Sequence, residues 1–154
     1  MHRSIARWLI DHDAEATRRC YASRPTGAGC ECAYCRNAEQ LGEKVFPRDF
    51  LDVLKALGID PTKPVELMHY CKESSGVYST GGFFHFVGSI ISGEDAFHWH
   101  NGTGSARFED WNSAFQFGLT KQVHLVADVF DGLPLVQLEF VARIPWVLNE
   151  PEPE

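Results

Sequence analysis

Apolar residues recur at helical spacing through the first third of the chain and turn to strict alternation after residue 64. Ile5, Trp8 and Leu9 fall on one helical face, and Ala14, Ala16, Arg18 and Arg19 sustain helix propensity toward Cys20 and Tyr21. Pro25-Thr26-Gly27-Ala28-Gly29 breaks that pattern and delivers the chain into a cysteine-rich loop. Beyond it, Asn37 with Gln40 three residues on predicts a capped short helix through Lys44, weakened by Gly42. The clearest helix follows. Pro47 suits the first helical position, Phe50, Val53, Leu54 and Leu57 form one stripe, Gly58 stands where a left-handed cap is wanted, and Pro61 forbids continuation.

From Val65 the period is two. Val65–Tyr70 reads as a strand, Ser74-Ser75-Gly76 as a loop, and the aromatic and β-branched run Phe83–Ile91 as a second strand ended by Ser92-Gly93-Glu94-Asp95. Phe97–His100 runs into Asn101-Gly102, a two-residue hairpin signal that sets His100 opposite Thr103 and His98 opposite Ser105. Phe115–Leu119 predicts another short strand. Val123–Phe130 and Leu133–Val141 flank Asp131-Gly132, and a hairpin there would pair Leu125 with Leu138 and Val123 with Phe140 on an all-apolar face, with His124 opposite Glu139 on the other. The expected fold is α+β, with N-terminal helices packed on a largely antiparallel sheet of about five to seven strands. One domain is expected over residues 1–148, mainly helical to residue 64 and a sheet from 65 onward. The proline-spaced acidic end, 149–154, is expected to be a disordered tail.

Composition narrows the setting. Hydrophobic residues at 44% and charged residues at 23% belong to a folded domain, and 154 residues suffice for a real core. The most apolar stretch, Phe83–Ile91, is interrupted by His85 and Gly88 and falls far short of the roughly 20 residues of a membrane helix. The first residues lack the apolar run of a secretion signal, so a cytoplasmic protein is expected. Residues 1–64 carry ten basic and nine acidic side chains, whereas residues 65–154 carry four and twelve. That acidic excess argues against nucleic-acid binding and favours a basic protein partner.

The strongest chemical signal is Cys30-x-Cys32-x-x-Cys35, holding three of the five cysteines. An odd number so crowded does not fit a disulfide scaffold; reduced thiols in one glycine-led loop can converge on a single ion. A structural zinc wants four such ligands, so a fourth would come from Cys20, Cys71, His69 or His85. Reading Cys32 and Cys35 as a redox pair is weaker, because such pairs open a helix after a strand, no strand is expected here, and a third cysteine crowds them. His98 and His100 share a strand face, a spacing used by metal sites, yet no cupin-type Glu follows, and solvated hairpin histidines are the simpler account. His69 and Cys71 could suggest a nucleophile pair but lack a third orienting group. Tyr78–Gly82 is glycine-rich without the Lys of a phosphate loop.

Three segments together, Cys30–Asn37, Gly81–Gly88 and Ile144–Pro151, resemble an uncharacterised bacterial family with a CxCxxCRN motif and a PWVL-type C-terminal segment. No activity comes with the resemblance, so no catalytic residue is carried over. It implies that the cysteine loop and the segment around His85 share a scaffold, which favours His85 as the fourth ligand. The expected function is a small protein-binding or regulatory module with a structural zinc site, using Trp99, Phe108 and Trp111 as aromatic anchors. The alternative is a metal-assisted hydrolase using His85, His98 or His100.

Overall fold

A computed structural model of the chain describes residues 1–25 and 29–153. The expected break at Pro25–Gly29 lies largely outside them. The chain opens with a hairpin, β1 (His2–Ile5) and β2 (Trp8–His12), joined through Ala6 at φ 51. This corrects the helix expected over Ile5–Leu9. Ile5 and Trp8 do share a face, but as cross-strand partners of a two-residue turn, where residues three apart in sequence also meet. Alternation along β2 buries Trp8, Ile10 and His12.

Three helices follow: α1 (Ala14–Ala22), α2 (Ala33–Leu41) and α3 (Arg48–Leu57), with a 3-10 turn at Gly42–Val45. The helices therefore lie between the opening hairpin and the remaining strands. Helix α3 matches its sequence pattern: Pro47 precedes its first turn, Phe50, Leu54 and Leu57 are buried, and Gly58 closes it at φ 85. Helix α2 begins four residues before the expected Asn37 cap, with Cys32 as its N-cap instead.

The strands are β3 (Glu66–Ser74), β4 (Val77–Ser92), β5 (Phe97–His100), β6 (Thr103–Ala106), β7 (Glu109–Asn112), β8 (Phe115–Thr120) and β9 (Leu135–Pro145). A seven-stranded antiparallel sheet runs β1-β2-β4-β9-β8-β7, with β3 also on β4. Strand β4 is 16 residues long; its first half pairs with β3 and its end with β2, while β9 covers its other edge. Gly82 of β4 has no side chain because a Cβ there would collide with the Glu66 carbonyl and the Phe140 ring. The β5–β6 hairpin has the expected register through Asn101-Gly102 but forms a separate two-stranded sheet.

The Asp131-Gly132 hairpin does not form. Asp131 (φ −53, ψ 132) and Gly132 (φ 74) do turn the chain, and Leu133 N–H bonds the Phe130 carbonyl at 3.1 Å. That is a type II geometry, whose twist splays flanking strands instead of pairing them. Val123–Ala127 is not a strand; Leu125 stands 66% exposed at φ 52, Asp128–Phe130 is a 3-10 turn, and Glu139 has Phe83 and Gly118 as its strand partners in place of His124. The apolar face of β9 survives with other partners. Val136, Leu138 and Phe140 pair with Phe86, Phe84 and Gly82 on one side, and Leu138 and Phe140 with Leu119 and Phe117 on the other.

The core lies between the helices and one sheet face. Phe50 packs 4.7 Å from Phe115 and 5.1 Å from Phe117, and Phe46 sits 4.9 Å from Phe140, each between ring centroids. A fully buried side chain of this kind stabilises the fold by about 1.5–3 kcal/mol. Within the end expected to be a disordered tail over 149–154, Glu150 pairs with Arg36 at 2.8 Å and Glu152 with Lys72 at 2.9 Å. Among the described residues no helix is long and apolar enough to cross a membrane.

Candidate metal centre

Cys32 occupies the N-cap of α2 with extended backbone (φ −66, ψ 162), the role usually taken by Ser, Thr or Asp. Its Sγ accepts the Cys35 N–H at 3.5 Å. Cys30 arrives from the loop after Gly29, and Cys35 projects from the first turn of the helix, so the three sulfurs lie within 4.8 Å of one another. Cys30 and Cys32 are exposed, Cys35 is buried, and none is in a disulfide. The amide hydrogen bond from Cys35 draws the Cys32 thiol below its ordinary pKa, helped by hydrogen bonds within the trio. Burial, with hydrogen bonds to Cys30 and Cys32, drives the Cys35 thiol well up.

The helix carrying this loop is fixed from behind. Asn37 is buried; its Nδ2 donates to the Pro145 carbonyl at 3.0 Å and its Oδ1 accepts the Val147 N–H at 2.7 Å. Trp146 N–H bonds the Gly76 carbonyl at 3.0 Å, and its indole N–H bonds the Glu150 carbonyl at 3.0 Å. Tyr34, between the second and third cysteines, stacks on His69 with centroids 3.6 Å apart. The Cys-x-Cys-x-x-Cys-Arg-Asn and Pro-Trp-Val-Leu segments thus meet in space. Nothing in the periodicity of α2 marked Asn37 as a clamp, because its partners are main-chain atoms more than a hundred residues away.

Among the described residues no further His, Cys, Asp or Glu ligand atom joins the trio. His85 is fully buried on β4, with Nε2 2.9 Å from Gln137 Oε1. Gln137 donates its amide N–H to Glu139 at 2.8 Å and accepts the His124 N–H at 2.8 Å, so its oxygen faces the imidazole and His85 Nε2 carries the hydrogen. The Cys20 thiol donates to the Val129 carbonyl at 3.3 Å, Cys71 stands exposed on β3 beside Glu73, and His69 is held by its stack on Tyr34.

The histidines of the hydrolase reading do not assemble. His98 Nε2 lies 3.3 Å from Glu94, His100 is exposed beside the Asn101-Gly102 turn, and no metal-sized group of three among the described residues contains either of them or His85. Of the expected anchors, Trp99 is 68% exposed, Phe108 packs on Phe97, and Trp111 packs on Phe50 while donating to Asp49 at 2.8 Å.

Three sulfurs this close could hold a metal ion, and once deprotonated they would form a soft donor set of the kind that suits Zn²⁺ or Cu⁺. The chain matches no family model, no curated protein and no solved structure.

Proposed function

We propose that this protein is a small metal-binding module whose Cys30, Cys32 and Cys35 thiolates hold one zinc ion. The observation that carries this reading is the convergence of three unbridged sulfurs within 4.8 Å at the start of one helix. With Cys30 and Cys32 exposed, the fourth coordination position of a bound ion would open to the surface, where water or a partner's side chain would complete it. That geometry supports a regulatory or partner-binding role, with the acidic second half and exposed Trp99 favouring a basic protein partner.

Zinc added to reduced, metal-free protein should bind at about one equivalent per chain. Present at a thousand times its dissociation constant, it should stabilise the fold by about 4 kcal/mol. Cys32→Ser should weaken binding and remove most of that gain, whereas Cys71→Ser should leave both unchanged. Melting curves that ignore both zinc and chelator would overturn the proposal.

A further inference from the structure

Two sulfurs of the same loop also stand in a geometry that bears on chemistry without a metal. The sulfurs of Cys32 and Cys35 lie within 4.8 Å of each other, at the two ends of a Cys-x-x-Cys segment that opens a nine-residue helix. Cys32 is exposed, while Cys35 is buried beneath it with its amide already pointing at Cys32 Sγ. Cys32 holds the N-cap of α2, and no acidic side chain occupies the first turn of that helix. An accessible sulfur backed by a shielded one is the arrangement that distinguishes an attacking thiol from a resolving thiol.

We infer that Cys32 and Cys35 form a dithiol that undergoes thiol–disulfide exchange with small external disulfides, Cys32 attacking and Cys35 resolving. In the first step Cys32 thiolate attacks one sulfur of R–S–S–R; a Cys32–S–R bond forms, the original S–S bond breaks, and R–S⁻ leaves with the electron pair to take up a proton. In the second step Cys35, having given its proton to solvent, attacks Cys32 Sγ, forms the Cys32–Cys35 disulfide and expels the second R–S⁻. Two protein thiols are oxidised and one external disulfide is reduced to two thiols. Closing the bond brings the sulfurs to about 2.05 Å, a movement that side-chain rotation and a small shift of the exposed loop can supply. Cys30 remains a thiol, because a bridge to Cys32 would close an eleven-atom ring across one intervening residue.

The exchange goes beyond the metal reading and stands without it. Where both hold, oxidation removes two of three ligands and releases the ion, and bound zinc shields the pair.

The test uses the full chain, reduced and freed of metal by chelator, incubated with oxidised glutathione and followed by mass spectrometry of alkylated peptides. Cys71, exposed on β3, serves as the internal reference. Cys32 should end in an internal disulfide with Cys35, whereas Cys71 should stop at the mixed disulfide with glutathione. Cys35→Ser should stop at the Cys32–glutathione mixed disulfide, and Cys30→Ser should still form the bridge. No Cys32–Cys35 disulfide, or a Cys32–glutathione mixed disulfide that persists in the wild-type chain as it does at Cys71, would overturn the inference. A parallel arm with zinc separates the two readings: exchange unaffected by zinc leaves the dithiol standing and counts against the metal site.

Discussion

Two histidines and one glutamate give the folded protein its expected response to pH. Burial depresses the pKa of His12, assisted by the nearby Arg3, and burial likewise depresses that of His85 against the opposing pull of its Gln137 hydrogen bond. In the unfolded chain both imidazoles protonate as pH falls through about 6.5. The folded state resists protonation to lower pH, so the unfolded state binds more protons and stability declines as the solution is acidified below that value. Urea midpoints at pH 7.5 and 5.5 should differ in that direction. Neither ring nitrogen of His12 has a hydrogen-bond partner among the described residues, so His12→Leu should both raise the midpoint and flatten its pH dependence. Glu139 behaves oppositely: burial raises its pKa, the folded state holds its proton longer, and the charged form is a liability at neutral pH. Gln at that position could still accept from Gln137, so Glu139→Gln should raise the melting temperature at pH 7 and lose that advantage near pH 4.

At the level of elements, the clamp on α2 and the path of the segment before β9 carry the sharpest expectations. Asn37→Ala strands the Pro145 carbonyl and the Val147 N–H, which should cost about 1–3 kcal/mol and raise amide exchange at Val147. Leu138→Asp buries an unpaired charge at a position with no exposure and should cost several kcal/mol. Leu125→Gly should be neutral or stabilising in a thermal melt, because Leu125 is exposed and held at φ 52, where a side chain is a burden. Sequence alone would have ranked Leu125 with Leu138. The alternation through β9 was readable because both sheet faces sort its residues, and α3 was readable from its stripe and its glycine cap. Pairing was not. Asp-Gly turns the chain in either hairpin or open geometry, and the choice depends on Phe115–Leu119 offering β9 a better edge and on Phe130 entering the core instead. The cysteine trio was visible from spacing, while its ligands beyond three were not, since His85 owes its position to hydrogen bonds that no local pattern records.

Across the whole molecule, surface charge holds the chain ends lightly. The Arg36–Glu150 and Lys72–Glu152 pairs are solvent-screened, so each should contribute little to stability. Replacing both glutamates with Gln should leave the melting temperature nearly unchanged while speeding proteolysis beyond Leu148. The central position of β9 has a consequence for the order in which the protein is made. A chain emerging from the ribosome displays β4, with Phe83, Phe84 and Phe86, about fifty residues before the strand that covers its open edge. Until Leu135–Pro145 arrives, β4 and β8 each offer an unpaired border, and Asn37 has nothing to grip. The cysteine loop, synthesised early, is therefore fastened late, and a nascent chain stalled before residue 135 is the form most exposed to aggregation and to stray chemistry at its thiols.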